Sequence, residues 1–161
     1  KLATSIKKRP LPNSSDLNDV TSEDVCLANI EISNYSSNLI PCQVSLSSIS
    51  KNGRGFSLEI YGSEGSLILK SENQKDYVHG FNLKYSNNEN KMQNLTADSS
   101  FNFEKTWTDG RIAPVLRIQN LWAQSIIDRT PVIPGLCEGL ASHKVCEAIR
   151  ESSKSGLSIK I

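Results

Sequence analysis

Polar and apolar residues alternate with a period of two over much of the N-terminal two thirds of the chain, the spacing of strands that bury one face. The clearest stretch is Gly55 to Lys70, GFSLEIYGSEGSLILK. Phe56, Leu58 and Ile60 share one face of a first strand, and Ser57, Glu59 and Tyr61 share the other. A second strand sets Leu67 and Leu69 against Ser66, Ile68 and Lys70. Between them, Gly62-Ser63-Glu64-Gly65 lacks the Asn-Gly or Asp-Gly pair of a two-residue primed turn and suits a type I turn closed by a left-handed Gly65. The pattern predicts a β-hairpin, and the demand for positive φ accounts for its glycines.

Other segments repeat the theme. Leu2 to Ile6 predicts a short strand, and Pro10, Pro12 and Asn13 to Asp16 predict a loop. In Val25 to Ser33, Cys26, Ala28, Ile30 and Ile32 form the more apolar face. Asn34 to Asn38 reads as a turn, Gln43 to Ile49 alternates again, and Asn52-Gly53 is a turn. Further strands are predicted within Tyr77 to Tyr85 and near Ser99 to Phe103. After Trp107 the period changes. Thr108 or Asp109 can cap a helix in which Pro114 is tolerated near the first turn, and Val115, Ile118, Leu121, Trp122 and Ile126 recur at helical spacing. Pro131 and Pro134 end it. A second helix is predicted from Gly135 to Ser155, with Gly156 as its stop, followed by a last strand through Leu157, Ile159 and Ile161. Strands first and helices afterwards argue for one α+β domain over residues 1–161. It would have a mainly antiparallel, open-faced sheet and two longer C-terminal helices packed on one face. The outward face would carry Ser45, Ser47, Ser57 and Ser66. Small hydroxyls cost little to desolvate, so such a face could stay wet or meet another domain or subunit.

Composition narrows the function classes. The 161 residues carry 18 basic and 17 acidic side chains, a formal charge of +1 that gives no reason to expect nucleic acid or an anionic membrane surface. Lys7-Lys8-Arg9 is the one basic cluster and reads as a solvated strand end. No apolar stretch reaches bilayer length and the first residues show no secretory pattern, so the chain reads as cytoplasmic. Cys26, Cys42, Cys137 and Cys146 lack the spacing of zinc or redox sites and read as free, mostly buried thiols. On a helix, Cys137 and Cys146 face opposite ways. Residue 1 is Lys and the sole methionine is Met92, so the chain reads as a piece of something longer.

Candidate chemistry is sparse. Gly53-Arg54-Gly55 resembles the opening of a dinucleotide fingerprint, yet a third glycine is missing and the segment leads into a strand. His143 precedes Glu147 by four residues and predicts a local helical pair; His79 has no visible partner. Asp24, Asp98, Asp109 and Asp128 sit at strand starts or helix ends, where turn and capping roles suffice. Trp122 lies on the inner helical stripe and predicts a core residue, whereas Trp107 predicts a surface-facing aromatic. No catalytic, cofactor-binding or metal-binding residue is assigned.

Three segments in series carry a family resemblance: GFSLEIYGSEGSLIL from Gly55 to Leu69, Asn120-Leu121-Trp122-Ala123-Gln124-Ser125-Ile126-Ile127, and Pro134-Gly135-Leu136-Cys137-Glu138-Gly139-Leu140 leading into Ala148 to Ser152. Together the chain resembles the C-terminal domain of the glucose-fructose oxidoreductase and inositol dehydrogenase (Gfo/Idh/MocA) family. The resemblance implies a two-domain parent, with an N-terminal Rossmann domain binding NAD or NADP that is missing here. It also implies a sheet domain that helps close the substrate site and supports homo-oligomers. The parent would move a hydride between a nicotinamide and a sugar, cyclitol or related hydroxyl compound. The family's catalytic Glu-Lys-Pro and Asp/His motifs match no position here, so the 161 residues alone are expected to bind no cofactor and to be inactive. A stand-alone binding or scaffold module with the same sheet is the alternative expectation.

Overall fold

A computed structural model of the chain describes residues 1–33, 38–73, 76, 78, 80–99 and 102–161. His79, most of the expected turn from Asn34 to Asn38, and parts of the Tyr77 to Tyr85 and Ser99 to Phe103 segments lie outside the described residues. In chain order the elements are β1 (Leu2–Ala3), β2 (Lys8–Pro10), β3 (Leu17–Asp19), β4 (Val25–Ser33), β5 (Leu39–Ser47), β6 (Phe56–Tyr61), β7 (Gly65–Ser71), β8 (Asn82–Asn87), β9 (Gln93–Leu95), α1 (Ile112–Asp128) and α2 (Leu136–Ser155). The class is α+β, with every strand pairing antiparallel and both helices at the C-terminal end. The described strands form three sheets in place of one: β1-β4-β5, β2-β3 and β6-β7-β8-β9.

Two compact units divide these elements, Lys1–Lys51 with Ile133–Ile161, and Asn52–Val132. In the first, β4 and β5 pair along their whole length, setting Cys26 against Leu46, Ala28 against Val44, Ile30 against Cys42 and Ile32 against Ile40. This is the apolar face that the alternation predicts. Opposite it, Leu27 faces Ser45 and Val25 faces Ser47. α2 starts after Gly135, whose N–H donates to Glu138 Oε2 at 2.7 Å, and stops at Gly156, where φ is 73° and the N–H returns to Ser152 O. Its last turn touches the start of the chain, since Ser153 Oγ accepts from Leu2 N at 2.9 Å.

In the second unit, β6 to β9 form a meander. Its apolar face carries Phe56, Leu58 and Ile60 beside Leu67 and Leu69, then Leu83 and Tyr85. Phe56 also meets Phe81 edge-to-face, with ring centroids 5.6 Å apart. α1 carries its proline at the third residue, where no helical N–H is lost. It stops before Pro131 because Arg129 takes φ 54° and turns its N–H back to Ser125 O. Arg117 fastens the helix to the loop before it, donating to Asn102 O at 3.2 Å and stacking its guanidinium 4.9 Å from the Phe103 ring.

Several expectations are corrected. Gly65 does not take positive φ; Gly55 and Gly156 are the left-handed glycines. Gly65 is required by close approach, since a Cβ there would lie 2.2 Å from Ser86 O on β8. The β2–β3 hairpin occupies part of the expected proline loop, β1 is shorter than Leu2 to Ile6, and β5 begins four residues ahead of the predicted strand. Leu157 to Ile161 form no strand. None of the four cysteines is fully buried: Cys26 and Cys42 are half-buried, and Cys137 and Cys146 are exposed. Among the described residues Ala113 is the only buried hydrophobic side chain, at 3% exposure, and Trp122 stands 42% exposed where the stripe predicted core. Both the sheets and α1 therefore present apolar surface that a partner could cover.

Candidate functional site

The polar face of the β6–β9 sheet is the most organised surface. Three residues alternating along β6 point to it, and Glu59 is their hub. Its Oε1 accepts from Ser57 Oγ at 3.0 Å, its Oε2 accepts from Tyr61 OH at 2.7 Å, and Lys70 Nζ on β7 lies 3.3 Å from Oε1. These donors stabilise the charged carboxylate, so the Tyr61 hydroxyl first, then Ser57 and Lys70, hold Glu59 below its usual pKa; Glu59 in turn pushes Tyr61 upward. Ser66 pairs with Tyr61, and Lys84 lies across Ile68 from Glu59 on the same face. Ser57 and Ser66, two of the four predicted serines, thus share this face at opposite ends of the β6–β7 ladder; Ser45 and Ser47 lie on β5 beside Leu27 and Val25.

The pyrophosphate of a dinucleotide needs unsatisfied N–H groups at a helix start. Before α1, Asp109 Oδ1 accepts the Arg111 N–H at 3.0 Å while its carboxylate also grips the Arg111 guanidinium, which lowers its pKa to about 2. At α2, Glu138 occupies the corresponding position against Gly135 N. Each of these carboxylates accepts the N-cap N–H of its helix, and Gly53 to Gly55 lead into β6.

The remaining candidates are scattered. Glu147 pairs with Arg150 at 2.6 Å, three residues on, in place of the predicted His143. The arginine fork reaches a carboxylate with a stronger, permanently charged donor than imidazole provides. Trp107 is half-buried, with Lys105 Nζ 5.0 Å from its ring. Asp128 accepts from Gln124 and Asp109 serves a turn, as their positions predict. No group of three or more His, Cys, Asp or Glu suited to a metal occurs among the described residues, and none of their helices is long and apolar enough to cross a membrane. The sequence reading undervalued Asp24, which is 7% exposed. Its carboxylate accepts from Ser5 N at 2.8 and 2.9 Å and from Ile6 N at 2.8 Å, and these bonds lower its pKa. An Asp just before an alternating run was the available signal, but its two donors lie some twenty positions upstream.

Antiparallel sheets followed by two C-terminal helices define an α+β domain. A family model described as the C-terminal alpha/beta domain of an oxidoreductase family matches residues 5–161. The chain belongs to this family, Gfo/Idh/MocA. It is 38% identical over 152 residues to an uncharacterized oxidoreductase of Synechocystis sp., an alignment that covers 94% of this chain and 40% of the relative. The chain thus spans less than half the length of that relative. No solved structure matches it significantly.

Proposed function

We propose that residues 1–161 act as one C-terminal domain, the substrate-side and oligomerisation part of an NAD(P)-dependent oxidoreductase. Its substrate would be a sugar, cyclitol or related hydroxyl compound. The observation that carries this reading is the family match along residues 5–161. The cofactor would be held by an N-terminal Rossmann domain, with which the open apolar surfaces would pack. Titrating NAD(H) and NADP(H) into the 161-residue chain should produce no saturable binding by calorimetry. A micromolar dissociation constant would overturn the reading.

The oligomer would form between copies through the polar sheet face. One acid, Glu59, and two bases, Lys70 and Lys84, make that face self-complementary about a two-fold axis. Sedimentation should therefore show a dimer or larger species. Ser57→Lys should weaken it by adding a cation opposite Lys70 on that face; Ser45, expected to share it, lies on the β1-β4-β5 sheet. A monomer before any substitution refutes the self-association.

A further inference from the structure

A cleft of about 420 Å3 opens between the β2–β3 hairpin and the start of β4, lined in part by Arg9, Asn18, Thr21, Ser22, Glu23 and Asp24. Its size falls in the range of small-molecule sites. The charges around it can be matched one by one. Asp24 is satisfied by the Ser5 and Ile6 amides. Asp19 faces Lys8 at 3.8 Å. Glu23 lies close enough to Arg150 to help raise that residue's pKa, after the larger effect of Glu147. Arg9 is left over. Its guanidinium makes no ion pair or hydrogen bond among the described residues, and Arg9 stands directly across the ladder from Asn18, so both side chains project to one face of the hairpin.

We propose that this cleft binds a small hydroxylated monocarboxylate, with Arg9 as its anchor. The planar guanidinium fork matches a carboxylate in a bidentate pair, which an ammonium cannot reproduce. The Asn18 amide and the Thr21 and Ser22 hydroxyls supply neutral partners for the ligand's hydroxyl groups, and the Glu23 carboxylate can accept from one of them. Pro10, Leu11 and Val20 complete the wall. The nearby acids set the ligand's charge. With Asp19, Glu23 and Asp24 around a single unmatched cation, a multiply charged phosphate is repelled while a monoanion is accepted. A merely solvated strand end would show no such discrimination.

The test is a titration of the isotope-labelled 161-residue chain by NMR with D-gluconate, inorganic phosphate and the neutral polyol sorbitol as probes. Gluconate should give saturable shifts at the amides of Arg9, Asn18, Thr21 and Ser22, with sorbitol and phosphate at least about tenfold weaker. Arg9→Gln should weaken gluconate about tenfold or more, and Arg9→Lys should fall between, because it keeps charge and loses the fork. Lys7→Gln removes the same charge two residues away, at a residue that does not line the cleft, and should leave gluconate binding unchanged. The absence of saturable shifts with gluconate overturns the proposal. So does equal loss in the Lys7 and Arg9 variants, which would reduce the effect to net charge, or phosphate binding as tightly as gluconate.

Discussion

Replacing Gly65 with alanine is expected to unpair β7 from β8, and Gly55→Ala to do the same at the far end of β6 and β7. At Gly65 the added Cβ would sit 2.2 Å from Ser86 O and 3.2 Å from the Asn87 Cα, both backbone atoms of the neighbouring strand. No rotamer change relieves such a clash, so β7 must move off a ladder in which Gly65 pairs with Asn87 and Ser66 with Ser86. At Gly55 two faults combine. The φ of 73° is unfavourable for an L side chain, and the Cβ would lie 2.1 Å from Ser71 O. Ser71 itself is only 2% exposed, which leaves that strand end little freedom to yield. Each variant should lose about 2 kcal/mol or more in urea denaturation. Gly139→Ala is the internal control. It lies inside α2 with nothing within 4 Å of the new methyl, so it should stabilise by about 0.5–1 kcal/mol. A Gly65→Ala protein as stable as the parent would show that β7 and β8 do not approach this closely.

The Gly65 result also shows where sequence reasoning reaches and where it stops. A period of two along Val25 to Ser33 predicts β4 from end to end, because alternation is a local property of one strand. The Gly55 to Lys70 hairpin is legible for the same reason. The purpose of Gly65 is not, since the atom that excludes a side chain belongs to Ser86, more than twenty residues on. β2 and β3 escaped notice because Lys8-Arg9-Pro10 and Leu17-Asn18-Asp19 are too short and polar to show a period, and the prolines around them resemble loop punctuation. The helices were readable through helical spacing and glycine boundaries, although an arginine in the left-handed region closes α1 without any sequence signal. The apolar stripe of α1 predicted core, but a stripe reports only that a surface should be covered; the sequence does not carry the identity of the cover. The family was legible because three motifs recur in order. The organised polar face was legible only in part, as serines, while the Glu59 hub depends on a lysine brought across from β7.

Asp24→Asn is expected to free the connector between β1 and β2 while leaving the β4–β5 pair intact. The backbone of Asp24 makes bonds that the substitution keeps, its N–H to Ala3 O at 2.9 Å and its carbonyl accepting from Ser48 N at 3.0 Å. The side chain alone holds Ser5 and Ile6, and an amide in its place turns an N–H toward donors that now meet oxygen. The β2–β3 hairpin begins two residues beyond Ile6, so its tether should loosen as well. Hydrogen exchange should quicken at Ser5, Ile6 and β2–β3 and stay unchanged along β4–β5, with Tm falling by several degrees; Asp24→Ala should fall at least as far. Acid supplies an independent check. The folded-state pKa of Asp24 is depressed, so the unfolded chain binds the proton more readily. Its contribution is fully present above the ordinary carboxylate pKa of about 3.9 and is lost as pH falls through the lower folded value. The parent chain should therefore lose stability more steeply than Asp24→Asn below about pH 4. Identical acid limbs, or faster exchange spread evenly over β4 and β5, would show that Asp24 does not act as this tether.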